Sequence, residues 1–112
     1  MNKTTQEAVN QYELLNPLLR GIYDEMQELS KKKPDSPLNT FKVKSINRTI
    51  EPIKELLKEE NTYSFLDVFD IDDIPTNSDV VLVLNQYIKA MGMFYEKYYT
   101  YNQKDGHNWR IQ

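Results

Sequence analysis

The chain of 112 residues contains no cysteine and a single histidine, His107. Without cysteine it can form no disulfide, no thiolate metal site and no cysteine nucleophile. One imidazole excludes most histidine-based metal sites and leaves little for acid–base catalysis near neutral pH. These absences remove many of the known catalytic and metal centres, and we expect no cofactor and no metal.

Glycine and proline are also scarce, at three and five residues, which argues against a protein built mainly from tight β-turns. No apolar run is long enough to span a membrane, since the strongest, at 79–84, is far too short. The first eleven residues hold no apolar stretch of the kind that a secretory signal needs. We therefore expect a cytoplasmic protein with no membrane partner.

The residues that are present have the composition of one globular domain. Lysine and arginine together number 14 and aspartate and glutamate 17, which gives a formal net charge of -3. A chain of this length supports one core, so we expect a single domain over 1–112. Lysine outnumbers arginine 11 to 3, a bias of AT-rich genomes that indicates a bacterial or phage source.

Apolar residues recur in three segments with alternating steps of three and four positions, the spacing that places side chains on one face of a helix. The three sets are Ala8, Tyr12, Leu15, Leu19, Ile22, Met26 and Leu29; then Val43, Ile46, Ile50, Ile53 and Leu57; then Val81, Leu84, Ile88, Met91, Tyr95 and Tyr98. They predict long helices at about 5–32, 37–60 and 78–102.

Local signals mark the ends of these predicted helices. Thr4 or Thr5 can cap the first helix, and Ser36 followed by Pro37 is typical of a helix start. Phe41 is expected to widen the apolar face of the second helix. A short helix at 62–69 and a C-terminal tail at 103–112 complete the order. The sequence therefore predicts an all-α fold, an antiparallel bundle of three long helices with a short extra helix in the second connection.

Two prolines, Pro17 and Pro52, lie inside the predicted first and second helices. An interior proline removes a backbone hydrogen bond and costs about 3 kcal/mol when nothing compensates. Because the apolar spacing continues past both residues, we expect bends, but division of either helix at its proline stays open.

The third predicted helix carries a second row of apolar residues beside its first. This second row is Val80, Val83, Tyr87, Ala90, Phe94 and Tyr101. Two adjacent rows form a wider apolar face than a surface helix needs. We expect that face to contact another chain, most simply a second copy in a homodimer, through Tyr87, Phe94, Tyr98, Tyr99 and Tyr101. Alternatively, the tail with its Trp and Ile covers the second row within one chain.

The favoured function is thus that of a non-enzymatic interaction or assembly protein, with a protein partner. Two alternatives stay open. Acidic residues one turn apart on two helices can hold Mg²⁺ against a nucleoside triphosphate, as in all-α nucleotide pyrophosphohydrolases, and Glu25 with Glu28 and Asp67 with Asp70 are the candidates. Such pairs are also common on exposed helix faces, so the enzyme is not the favoured interpretation.

The other alternative is a small nucleic-acid-associated protein. Its basic residues would be the lysine run at 31–33 together with Lys42, Lys44 and Arg48. This patch is small and the whole chain is acidic, so we do not expect nucleic acid as a partner. The aspartates at 70–73 do not form a calcium loop, because the sixth position is Pro75 and the twelfth is Val81.

Overall fold

The computed structural model describes residues 2–104 and 106–112. Most of this part of the chain is helical, in α1 (Gln6–Lys32), α2 (Thr40–Leu56) and α3 (Asn77–Tyr98). Two short strands follow α3, β1 (Tyr99–Asn102) and β2 (Gly106–Trp109). The three predicted helices are confirmed, but the all-α class is wrong in one respect, since the chain also contains this two-stranded sheet.

α1 occupies almost the whole of its predicted range. Thr5 is its N-cap, and its hydroxyl oxygen accepts a hydrogen bond from the N–H of Ala8 at 3.1 Å. This bond satisfies one of the N–H groups that the first turn leaves free. The helix continues through Pro17, and α2 likewise continues through Pro52. Division of either helix at its proline is therefore excluded.

α2 begins three residues later than predicted, with Asn39 as its N-cap. The predicted first turn, Ser36 and Pro37, is not helical, because Pro37 pairs with Thr76 in an isolated antiparallel bridge. The N–H of Asn77 donates to the carbonyl of Ser36 at 2.9 Å in the same pairing. Backbone groups that bond to the segment before α3 cannot also form a helical turn, so the predicted start is wrong.

The second connection contains less helix than predicted. α2 ends at Leu56, and a single 3-10 turn at Tyr63–Phe65 stands where an eight-residue helix was expected. Beyond that turn Leu66 is buried in the core.

α3 ends four residues earlier than predicted, because the chain turns into a β-hairpin. The strands pair antiparallel, with Tyr99 opposite Trp109 and Tyr101 opposite His107. The second strand begins at Gly106, whose φ of 74° lies in the region that favours glycine. Tyrosine and threonine favour strands, which suits β1. The predicted helix end and the predicted tail at 103–112 are therefore wrong.

The N-terminal residues join this hairpin. Thr4 forms a parallel bridge with Ile111, and its N–H donates to the carbonyl of Arg110 at 2.9 Å. The guanidinium of Arg110 donates to the carbonyl of Lys97 in the last turn of α3. A cation at this place is favourable, because the last carbonyls of a helix lack backbone partners and carry partial negative charge.

The core lies where the three helices meet. Its fully buried large side chains are Val9, Leu19, Val43, Ile50, Ile53, Leu57, Val80, Leu84, Tyr87 and Met91. α1 contacts both other helices. The amide of Asn77, at the start of α3, donates to the carbonyl of Lys33 after the end of α1. Among the described helices, none is both long enough and apolar enough to cross a membrane.

Candidate interaction surfaces

The predicted interaction surface on the third helix is largely inside the chain. Tyr87, Phe94 and Tyr98 are buried, Tyr99 is partly buried, and Tyr101 is exposed. Three of the five predicted residues therefore cannot contact a partner while the chain keeps this structure. The cause is that other parts of the same chain cover most members of both apolar rows.

An aromatic cluster covers the second row at its C-terminal end. The ring of Tyr12, from α1, stacks on Phe94 with centroids 5.7 Å apart. Trp109, from the hairpin, lies edge-on to Tyr12 at 5.2 Å and 6.1 Å from Phe94. The alternative in which the C-terminal segment covers this row thus matches the structure for Trp109, although that segment is a hairpin and not a loose tail.

The two buried tyrosine hydroxyls each have a partner in the second connection. Tyr87 donates to the carbonyl of Asp67 at 2.8 Å, and Tyr98 donates to the carboxylate of Glu60 at 2.8 Å. Burial raises the pKa of Tyr87, with a further contribution from the charge of Asp67. Burial, followed by the bond to Glu60, raises the pKa of Tyr98. These phenols act as neutral donors that hold the connection against α3.

A depression of about 360 Å³ lies beside Glu60, lined also by Asn61, Thr62 and Met93. One oxygen of Glu60 accepts from the ammonium of Lys97 at 3.1 Å and the other from Tyr98. The bond to Glu60 raises the pKa of Lys97. Through these two bonds Glu60 connects the segment after α2 to the last turn of α3.

Two of the four acidic residues of the enzyme alternative, Glu28 and Asp70, have other local partners. The carboxylate of Glu28 pairs with Lys31 at 3.1 Å, one turn along the exposed face of α1. The carboxylate of Asp70 accepts from the N–H of Asp72 at 2.8 Å within its own turn. Within the described ranges, no three acidic or imidazole side chains are grouped closely enough to hold a metal ion. The predicted acidic pairs therefore do not converge on one site.

A different surface is both apolar and accessible, a groove between the second half of α1 and the start of α2. Its apolar lining residues are Ile22, Met26, Leu29, Phe41 and Ile46. Its volume is about 410 Å³. Phe41 is 75% exposed, so the prediction that it widens the buried face of α2 is wrong. This surface is called the α1–α2 groove.

Charged side chains border the α1–α2 groove. Lys32 lies on the α1 side and Lys42 on the α2 side, and Glu25 lies about two turns before Lys32 on α1. The two lysines come from the two segments that were predicted to form a basic patch, and the structure does bring these two together. Among the described residues neither lysine forms a salt bridge.

α1 also carries a fully exposed row of residues next to this groove. The exposed α1 row is Glu7, Gln11, Leu14, Leu18, Gly21, Glu25, Glu28 and Lys32. Leu14 is 59% exposed and Leu18 is 51% exposed. The sequence analysis missed these leucines because they lie outside the apolar set that predicted the helix. Their spacing of four residues was the signal that could have identified them.

The groove and the exposed row give the chain an accessible apolar surface of a kind that marks interaction sites in other proteins. No protein-family model, no curated protein and no solved structure matches this chain.

Proposed function

We propose that this chain is a non-enzymatic interaction protein, and that its partner binds at the α1–α2 groove. The observation that carries the proposal is the exposure of Phe41 beside Ile22 and Leu29. A large aromatic side chain in water at the mouth of an apolar groove gains free energy when a partner covers it. This surface replaces the α3 surface that the sequence analysis favoured.

The polar residues around the groove support binding to a protein. Interfaces typically combine an apolar centre with a polar rim, and the α1–α2 groove has Glu25, Lys32 and Lys42 at its edge. α1 and α2 provide all of the residues that line the groove. A groove formed by two helices has the shape that accepts a third helix.

Two alternative functions stay predictions. A Mg²⁺-dependent nucleotide hydrolase would need Glu25, Glu28, Asp67 and Asp70 to act together, and the local pairing of Glu28 and Asp70 speaks against that use. A nucleic-acid-associated protein would use Lys32 and Lys42, and its affinity would fall steeply with added salt. The apolar character of the groove favours a protein partner over both.

The directions in which the three helices run are also part of this proposal. We infer that α1 runs in the opposite direction to both α2 and α3, and the groove that the end of α1 forms with the start of α2 supports this for α2. For α3, support comes from the contact between Asn77 and Lys33 at one end of α1 and between Tyr12 and Phe94 towards the other. The homodimer and the cytoplasmic location also stay predictions.

The test is photo-crosslinking from the groove in the cells that make the protein. Replacing Phe41 with benzoylphenylalanine places a reactive group at the mouth of the groove. We expect irradiation to attach a protein at this position. The matched control is the same replacement at Glu51, which is exposed on α2 but does not line the groove. If position 41 attaches no protein, or position 51 attaches the same protein equally well, the proposed function is wrong.

A further inference from the structure

We propose that the partner at this surface is a second copy of the chain, which docks along α1 in the opposite direction. This inference rests on the proposed function and specifies the partner. In the arrangement, the exposed α1 rows of the two copies face each other, and the leucines of each row reach the α1–α2 groove of the other copy. A two-fold axis then relates the copies, as in most homodimers.

The exposed α1 row runs along one face of the helix. From Glu7 to Lys32 its steps alternate between four and three residues, which keeps the row on one side of α1 over its whole length. None of the described chain covers this face, since all its members are exposed. A contact along this face therefore has to come from another chain.

The charges at the two ends of the row determine the direction of pairing. When the rows run in opposite directions with Leu18 opposite Gly21, Glu7 of each copy lies opposite Lys32 of the other. Neither residue forms a salt bridge among the described residues of its own chain. Parallel pairing would instead place Glu7 against Glu7 and Lys32 against Lys32, which is unfavourable. The charges at the two ends of the row are thus complementary only in the antiparallel direction.

Gly21 provides the space that this register needs. A β-carbon built at Gly21 meets no atom of the chain within 4 Å. Nothing in the described part of its own chain therefore requires a residue without a side chain, although glycine is unfavourable inside a helix. In the antiparallel register the gap at Gly21 receives Leu18 of the second copy. The two-fold axis then passes between Leu18 and Gly21, so that each leucine meets the gap of the other copy.

The surface is large enough for a stable dimer. A helix of this length extends about 40 Å, and two packed helices are about 20 Å wide. The molecule itself measures 51 × 24 × 20 Å, so the α1–α2 face is one of its long sides. Two such faces can bury on the order of 800 Å² per copy, the area that a standard interface uses. Leu14, Leu18 and Phe41 would supply its apolar centre.

The first test is the mass of the purified chain in solution. Light scattering at about 0.1 mM should give twice the mass of the 13.3 kDa chain, because association depends on concentration. Changing Leu14→Glu and Leu18→Glu together should give a monomer with unchanged circular dichroism, since both side chains are exposed in the single chain. The control is Leu82→Glu, an exposed leucine on α3 that should leave the dimer intact. A monomeric native chain, or a double variant that stays dimeric, overturns the inference.

The second test examines the direction of pairing. Glu7→Lys and Lys32→Glu should each weaken association about 2- to 30-fold, because each change removes two exposed ion pairs and introduces repulsion. The chain with both changes should recover the native affinity, since the opposed charges are exchanged. Failure to recover overturns the antiparallel register.

The result of the photo-crosslinking separates this inference from the proposed function. If the purified chain is monomeric and position 41 attaches a different protein, the second copy is wrong and the interaction function stands. If position 41 attaches nothing, the interaction function itself is wrong. Attachment of a second copy of the chain, together with loss of the dimer in the leucine variant, supports both.

Discussion

The side-chain amide of Asn47 bonds to both main-chain groups of Phe69. Its nitrogen donates to the Phe69 carbonyl at 2.8 Å, and its oxygen accepts from the Phe69 N–H at 3.1 Å. Asn47 is only 8% exposed, because it lies on the side of α2 that faces the core. One buried amide thus supplies the backbone partners that an irregular segment cannot supply for itself. Through it α2 fixes the position of the second connection.

Replacing Asn47 with Ala should lower the free energy of unfolding by about 2–4 kcal/mol, because two main-chain groups lose their partners in a mostly buried place. Urea denaturation measures the change through its midpoint. The matched control is Asn61→Ala, an exposed asparagine of the same connection, which should change the free energy by less than about 0.5 kcal/mol. Equal effects in the two variants would contradict the role of Asn47.

Tyr87 should make the protein sensitive to alkali. Burial raises its pKa above the ordinary value, so the folded state holds the phenol proton more tightly than the unfolded chain does. The stabilisation is complete below the unfolded pKa of about 10 and is lost as the pH rises towards the folded pKa. We expect this residue to reduce the free energy of unfolding by about 1.4 kcal/mol per pH unit above pH 10.

The variant Tyr87→Phe tests this assignment. At neutral pH it should be less stable by about 1–3 kcal/mol, because the carbonyl of Asp67 loses its donor. Above about pH 10 its free energy of unfolding should fall less steeply than that of the native chain. Tyr101→Phe serves as the control, since Tyr101 is 61% exposed. An unchanged alkaline slope in Tyr87→Phe would show that another group is responsible.

Trp109 should hold the hairpin on the helices. Its ring lies against Tyr12, Phe94, Tyr95 and Tyr99, at centroid distances of 5.2 to 6.1 Å. We expect Trp109→Ala to lower the free energy of unfolding by about 2–3 kcal/mol, somewhat less than the loss for a fully buried tryptophan. Thermal unfolding followed by circular dichroism measures this loss.

The neighbouring residue of the same strand supplies the control. Asn108 is exposed and points to the opposite side of the hairpin, as successive residues of a strand do. Asn108→Ala should therefore have little effect on the unfolding temperature. If Trp109→Ala is no more harmful than Asn108→Ala, the hairpin does not contribute to the stability of the core.

The three helices could be predicted because each has an apolar set that repeats within its own sequence. The ends of the helices could not be predicted, because pairing with residues distant in the chain determines where each helix begins or ends. Pro37 pairs with Thr76 and so delays the start of α2, and Tyr99 pairs with Trp109 and so ends α3. A tyrosine-rich segment is compatible with both a helix and a strand, and only the second half of the hairpin selects the strand.

The candidate surface could be predicted even less well. The sequence shows two sets of large apolar residues on α1, and it does not show which set the other helices cover. Leu15 and Leu19 are buried, whereas Leu14 and Leu18, one position away in each case, are exposed. The distinction depends on where α2 and α3 pack against α1. Identifying the exposed set therefore required the tertiary structure, because the helical spacing alone does not distinguish the two sets.

Gly21 and Gly92 provide the sharpest comparison between folding and association. Both lie inside helices, and a β-carbon built at either one meets no atom within 4 Å. Replacement with Ala should raise the stability of the single chain by about 0.5–1 kcal/mol at each position, because alanine favours the helix. Only Gly21 lies in the exposed α1 row. Thermal unfolding in dilute solution should therefore show a similar gain for both variants.

Association should separate the two variants. Gly92→Ala should leave the Kd of the dimer unchanged, because α3 takes no part in the proposed contact. Gly21→Ala should weaken the dimer about tenfold, since its methyl group occupies the place of Leu18 from the second copy. Analytical ultracentrifugation over a range of concentrations measures both constants. A Gly21→Ala dimer as tight as that of Gly92→Ala would mean that Gly21 does not lie opposite Leu18.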